Sequence, residues 1–399
     1  MSAGNGLGRE QRLFLTGLLA LLVSTAIAVV AGSYLSSIRE TLALIPGLLV
    51  LVPPTINMRG SISGVLASRL SSSMHLGEFA PDCRGGVLTE NLHAAFILTV
   101  ATALALGFIA KLAAWAFGIE VIAAGDLVLI SVIAGILSGL IVMGFTVLVS
   151  VLSYRRGVDM DMIAAPAVTT LGDLVTIPVL AVTAVTVTAL PMGWRMTLLA
   201  GVLVIAAGAS VYSWMHGARA RDIVSEILPL LVGLSVLGTV AGVTYTMDLD
   251  RLVAVGALLI LIPPFAGICG SIGGILCSRL GTWMHLGLIE PSIRPSRAVG
   301  VQFVQSYLFT FLLLPLMAAL AHGAALLLGA ASPGLLTMVG IALGAGVVVM
   351  SIVNGIAYLT ASISFRYGFD PDNFGIPVIT SVIDLLGAVV LISVINLFL

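Results

Sequence analysis

The residues of this chain best placed to do chemistry are two aspartates, Asp173 and Asp384, each set inside an apolar run long enough to cross a bilayer as a helix. A carboxylate at such depth costs about 2.5 kcal/mol or more to insert, so it has to face a cavity or a partner rather than lipid. Hydroxyls accompany both aspartates at helical spacing. Pro166, Thr169, Thr170 and Asp173 fall on one face of their helix, as do Pro377, Thr380, Ser381 and Asp384 on theirs. Each stripe offers hard oxygen donors with no repeated Cys or His beside them, which argues against a soft or transition-metal site. One reading is a packing seam in which each aspartate bonds a neighbouring hydroxyl. The reading favoured by the lack of a repeated basic partner, since Lys111 and Arg59 have no obvious repeat, is a bound cation. An intramembrane aspartyl protease would use the two carboxylates as a dyad sharing a proton. Against it, Gly172-Asp173 has no match at Ile383-Asp384, and aspartates at identical repeat positions suit a symmetric ion site. A carrier of organic solutes would want an asymmetric aromatic pocket, and only 6% of the residues are aromatic. The expectation is transport rather than catalysis, with no enzyme activity and no organic cofactor.

A second polar block surrounds two proline pairs. Glycines at 60, 64, 270, 273 and 274, with Ser61 and Ser271 following Gly60 and Gly270, would let helices approach closely or let the backbone break and expose carbonyls. Either outcome suits a pore lining, and ordinary small-residue packing is the alternative. Arg69 and Arg279 read as anchors at the inner interface, with His75 and His285 just beyond them as interfacial residues rather than metal ligands. Two D-x-D pairs, Asp159 with Asp161 and Asp370 with Asp372, stand in the turn ahead of each aspartate helix. There they would ring an inner vestibule and concentrate cations, or simply be solvated turn residues.

The elements that must position these groups follow from composition. Of 399 residues 59% are hydrophobic and 9% charged, where a soluble domain carries about 25% charged residues. Seventeen basic against eighteen acidic residues give a net charge of −1, so there is no basic field to hold nucleic acid. Cys83, Cys269 and Cys277 form no CxxC pair, which makes disulfides and structural zinc unexpected. Dividing the chain at its charged breaks predicts eleven spans, at 13 to 35, 42 to 69, 91 to 118, 126 to 153, 165 to 190, 195 to 215, 223 to 246, 252 to 279, 299 to 321, 334 to 363 and 375 to 398. Helices are the natural solution in hydrocarbon, and the fold class expected is an all-α integral membrane protein. Most arginines fall on one side of these spans, placing the N-terminus in the cytoplasm, the C-terminus outside and the protein in a plasma membrane.

The chain also repeats itself. Pro53-Pro54, Gly60-Ser61-Ile62, Gly64, Ser68-Arg69-Leu70 and Met74-His75-Leu76-Gly77 recur 210 residues later, from Pro263-Pro264 to Gly287. Gly157, Asp159, Asp161, Pro166, Thr169 and Asp173 recur 211 residues later, as Gly368 through Asp384. Each half holds five spans, and the unrepeated span at 195 to 215 carries the chain back so that both halves share one orientation, related by an axis along the membrane normal. The expected organisation is a first repeat over 1–191, a linker transmembrane helix over 192–221 and a second repeat over 222–399. The chain would then work as a single-chain pseudo-dimer.

On these residues the sequence resembles the membrane domain of the MgtE-type magnesium transporters, in the tandem form of solute carrier family 41. The resemblance rests on the segments ending Ala67-Ser68-Arg69-Leu70-Ser71 and Cys277-Ser278-Arg279-Leu280-Gly281, and on Pro166 to Asp173 and Pro377 to Asp384. It implies a five-helix unit used twice, a pore lined by the second and fifth helices of each unit, and Mg²⁺ held at the fifth-helix aspartates, here Asp173 and Asp384. Thr169, Thr170, Thr380 and Ser381 would then order the ion's water. The sequence departs from the family where an Asn follows the motif glycine, a place taken here by Ser61 and Ser271. A channel, an exchanger coupled to Na⁺ or H⁺, and a carrier of another divalent cation all stay open.

Overall fold

The computed structural model describes the backbone of residues 3–399 except 76, 78, 80–85, 157–159, 217, 292–294 and 368–374. Side chains at 3–17, 20, 75, 156, 160–169, 213, 216, 218, 219 and 376 lie outside the description as well. The elements are α1 (Ala3–Ser37), α2 (Arg39–Leu44), α3 (Leu48–His75), α4 (Val87–Ala116), α5 (Ala124–Arg156), α6 (Met160–Ala189), α7 (Met192–His216), α8 (Ala218–Met247), α9 (Leu249–Ala254), α10 (Gly256–His285), α11 (Arg297–Leu327), α12 (Leu335–Tyr367) and α13 (Ile376–Phe398). Eleven of them are long, one at each predicted span, and no strand occurs among the described residues. By length and composition alone, nine of the described helices can cross a membrane, and α1 contributes the shorter apolar stretch Leu21–Ser37. α3 is more polar than its counterpart α10, carrying Asn57, Arg59 and several serines. The protein is an all-α, multi-pass membrane protein.

Two boundaries differ from expectation. The spans expected to begin at 42 and 252 are each broken near their start, so that a six-residue helix precedes the long one. In the first half the cause is local. Pro46 disfavours helix at Ile45, which is extended at φ −113° and ψ 90°, and Gly47 adopts φ +91°, open to glycine but strained for other residues. The second half lacks the proline: Gly256 takes the place of Pro46 and Ala257 that of Gly47. There Val255 makes the break at φ −113° and ψ 77°, and the Ala257 N–H donates to the Ala331 carbonyl in the loop ahead of α12. The ends of α4 and α11 repeat closely, each on a left-handed glycine, Gly118 at φ +70° and Gly329 at φ +63°.

The packing is paired throughout. Within each half the second and fifth long helices lie together, α3 on α6 and α10 on α13. Each half's first helix crosses over: α1 packs on α10 and α11, and α8 packs on α3 and α4, while α1 and α8 also touch their own fifth helices. The crossing is built on small residues. A Cβ at Gly32 would collide with the Ile260 carbonyl, and one at the equivalent Gly242 would collide with the Val50 carbonyl. One turn earlier, a Cβ at Gly238 would stand 2.9 Å from Pro54 Cα, and its counterpart Ala28 is buried. Helices in lipid gain little from apolar burial and associate through such close approach. The equivalent short helices α2 and α9 contact each other. α7 has no counterpart and lies at the periphery against α4, α5 and the start of α8.

Candidate functional site

α3, α6, α10 and α13 supply every site residue expected within the membrane. The two proline pairs stand in continuous helices, so α3 and α10 do not unwind to expose carbonyls. The glycines of that block act by proximity instead. A Cβ at Gly270 would be 3.6 Å from Thr380 Cγ2, and one at Gly273 would be 2.8 to 3.0 Å from Val353, Ile379 and Ile383, which fixes α10 tightly on α12 and α13. Gly270 is buried, while Gly60, Ser61 and Ser271 are half-buried along the same faces.

Asp384 is the best-defined member. Its Oδ2 accepts a hydrogen bond from Asn57 Nδ2 at 2.6 Å, and the same nitrogen donates to Ser381 Oγ at 2.8 Å. Ser61 Oγ donates to Asn57 Oδ1 at 3.3 Å. Four residues, Asn57 and Ser61 of the first half's α3 with Ser381 and Asp384 of the second half's α13, are thereby joined in one network across the molecule. Asn57 is 8% exposed and Ser381 fully buried, whereas Asp384 keeps partial access. Asp173 on α6 is also half-buried. Among the described residues neither has a basic partner, and no donor reaches Asp173. Thr170, the residue equivalent to Ser381, is engaged by Ser24 of α1 with Oγ to Oγ1 at 3.2 Å. Thr380 Oγ1 donates back to the Pro377 carbonyl at 3.1 Å.

α6 begins at Met160, ahead of the expected 165, so Asp173 sits deeper along its helix than Asp384 does along α13. Thr169 and Asp161 lie on α6, but their side chains are outside the described residues. So are Asp159, Asp370 and Asp372 altogether, and with them the expected vestibule. Among the described residues no group of three or more His, Cys, Asp or Glu side chains gathers. Cys269 and Cys277 are buried and neither is in a disulfide. His285 bonds the Gly281 carbonyl at 2.8 Å and meets the Phe365 ring edge-on at 5.0 Å, an interfacial role. Arg279 does more than anchor: its Nη1 donates to Gln305 Oε1 at 2.9 Å, tying α10 to α11.

Three features escape the sequence reading. Asn57 is one, although its position three residues beyond the proline pair, in place of the glycine at 267, is visible as a break in the repeat. The small pairs Ala28/Gly32 and Gly238/Gly242 recur at the offset of 210 and were legible as four-residue spacing. Arg59 was noted only as unrepeated. It is 3% exposed, with Nη1 3.4 Å from Thr99 Oγ1 and Nε unpartnered, and its guanidinium is accommodated because Gly139 and Gly135 on α5 leave it room.

The family model named MgtE and described as divalent cation transporter matches residues 52–183 and 262–394. Those segments run from α3 into α6 and from α10 into α13, so the same four long helices are matched once in each half. Similar proteins include solute carrier family 41 member 3 of Mus musculus, 26% identical over 366 residues, 85% of this chain and 73% of that protein. Member 2 of Gallus gallus is 27% identical over 368 residues, 86% of this chain and 62% of its own length. Member 2 of Homo sapiens is 26% identical over 389 residues, 90% and 66% respectively. The chain thus spans about two thirds of the length of these relatives. No solved structure matches it.

Proposed function

Because the chain belongs to the MgtE family of divalent cation transporters, we propose that it moves Mg²⁺ across a plasma membrane between α3, α6, α10 and α13, with Asp173 and Asp384 holding the ion. The observation that carries this reading is the pair of fifth-helix carboxylates, one from each half, both partly accessible and without a basic partner among the described residues, with Asp384 held by Asn57 of the first half's α3. Two carboxylates left uncompensated in a medium of low polarity repel one another, and a divalent cation between them removes the conflict. Mg²⁺ is small, prefers oxygen and sheds water reluctantly. Carboxylates and hydroxyls acting on its bound water suit such an ion better than a closed ligand cage. Thr169, Thr170, Thr380 and Ser381 would order that water, with Gly60, Ser61, Gly270 and Ser271 lining the path. The D-x-D pairs, Asp159, Asp161, Asp370 and Asp372, would gather cations at the inner mouth.

The organisation that goes with this function is a first repeat over 1–191, the linker helix over 192–221 and a second repeat over 222–399, with the N-terminus cytoplasmic and the C-terminus external. The names of the similar solute carriers are consistent with a transport role, while the coupling ion, if any, is a matter for measurement.

Mg²⁺ uptake into proteoliposomes loaded with a magnesium-sensitive dye tests the site. Asp173→Asn and Asp384→Asn should each lower the flux at least about tenfold, the effect of one lost charge-assisted contact. Running the assay with and without a Na⁺ gradient separates exchanger from channel. Undiminished flux in the double mutant would return both carboxylates to a packing role.

A further inference from the structure

The two halves of the proposed ion site are not chemically equal, and the inequality is built into α3 and α10. At equivalent positions of the repeat, α3 carries Asn57 and α10 carries Gly267. Asn57 uses both amide hydrogens, one on Asp384 Oδ2 at 2.6 Å and one on Ser381 Oγ at 2.8 Å. Its amide oxygen accepts from Ser61 Oγ at 3.3 Å, which leaves the carboxamide little freedom to turn. At Gly267 a Cβ would meet nothing within 4 Å, so the place that would correspond to the Asn57 side chain is open space. Asp173 accordingly has no donor among the described residues. Its neighbour Thr170 is engaged by Ser24 of α1, which has Leu234 as its counterpart in the second half.

We propose that Asn57 is a positioning residue that sets ion selectivity by tying down Asp384 while Asp173 stays free. The proposal rests on Asp173 and Asp384 being the ion-binding pair. A hydrogen bond to a charged carboxylate at this length is strong and directional. It occupies one lone pair of Oδ2 and holds the group on α13, while the remaining lone pairs still accept from the waters of a hydrated cation. A carboxylate so held cannot swing inward to replace a water. Mg²⁺ keeps its octahedral shell and is served by acceptors at fixed positions. Ca²⁺ takes six to eight oxygens in loose geometry and is served by carboxylates free to converge on it. One tethered and one free carboxylate therefore discriminate against Ca²⁺, and two free ones would not. The single carboxamide acts here from the first half alone, one helical turn before Ser61.

Parallel Mg²⁺ and Ca²⁺ uptake assays on the full chain in proteoliposomes decide the matter, comparing the native protein with Asn57→Gly and Gly267→Asn. Asn57→Gly should raise the ratio of Ca²⁺ to Mg²⁺ uptake about tenfold, in keeping with the loss of one hydrogen bond to a charged group. Gly267→Asn, which has room for its side chain, should lower that ratio by tethering Asp173. A residue that merely supported the fold would change both fluxes together and leave the ratio alone. An unchanged ratio in Asn57→Gly overturns the proposal. Should Asn57→Gly fail to reconstitute, Gly267→Asn decides alone, a lowered ratio supporting the proposal and an unchanged or raised one overturning it. Measuring Asp173→Asn with Asp384→Asn in the same vesicles keeps the two ideas apart. If flux depends on both aspartates but the ratio ignores Asn57, only the role of Asn57 falls. If flux ignores the aspartates, the ion site itself falls.

Discussion

Arg195 shows how much one side chain contributes to this molecule. Its Nη1 pairs with Asp126 Oδ2 at 2.8 Å, its Nε donates to the Leu190 carbonyl at 2.7 Å and its Nη2 donates to the Thr188 carbonyl at 2.6 Å. Those carbonyls belong to the end of α6, where helix geometry leaves acceptors without intrahelical donors. One guanidinium thus closes α6, starts α7 and reaches α5. Asp126 is 5% exposed, so removing its partner leaves a mostly buried charge with nothing opposite it. Arg195→Met should lower thermal stability in detergent by about 1–3 kcal/mol, read as a fall in the unfolding midpoint. Mg²⁺ flux per folded molecule should be unchanged, because the pair is remote from Asp173 and Asp384 in the chain's architecture. A stability equal to the native protein's would show that lipid-facing or solvent contacts substitute for the clamp.

At the scale of elements, the molecule depends on how closely α8 approaches α3 and α1 approaches α10. Both approaches run over glycine, and a side chain at either place meets backbone rather than a movable side-chain tip. Gly242→Val should separate α8 from α3 and cost about 1–3 kcal/mol, the range for overpacking a close-packed contact. The loss would be read as a reduced monodisperse peak in size-exclusion chromatography and a lower unfolding midpoint. On the same helix Gly233 is exposed with open space around it. Gly233→Ala should leave stability equal or higher by up to about 1 kcal/mol, as helix propensity dictates. Equal behaviour of the two variants would mean that the α8–α3 seam is not tight. The proline pairs stand inside α3 and α10, where each proline removes one backbone donor while the helix continues, and it is Gly238 on α8 that leaves room beside Pro54.

At the scale of the whole chain, the exchange of first helices makes the halves interdependent. α1 lies on the second half's α10 and α11, and α8 on the first half's α3 and α4. The large core runs through both halves without interruption, from Leu35 and Leu51 to Ile260, Phe265 and Leu391. A chain cut between α7 and α8 should therefore give two pieces that are each unstable alone and co-purify when expressed together. Recovery of folded 218–399 by itself, with a native-like helical spectrum and a cooperative melt, would contradict that interdependence. Small-residue seams associate helices within a bilayer without a hydrophobic drive, which is why co-expressed pieces should find each other.

Much of this was readable from residues alone. Length and apolar runs identify the eleven long helices, nine of which can cross a membrane by length and composition among the described residues, because the bilayer fixes both how long an element must be and that its backbone must bond internally. The repeat at 210 and 211 residues marks two similar halves, which the family model matches in turn, and within it the aspartates draw attention to α6 and α13. The tertiary structure decided what period and composition leave open. Ile45–Gly47 and Val255–Gly256 break the second helix of each half, the latter without a proline and with the Ala257 N–H bonded to the Ala331 carbonyl. The exchange of α1 and α8 rests on glycines whose meaning depends on which backbone lies opposite. A carboxamide on α3 reaches a carboxylate more than three hundred residues away on α13, with no equivalent contact at Gly267. Sequence identifies groups that must be accommodated in a membrane, and only the three-dimensional arrangement of helices determines which group accommodates which.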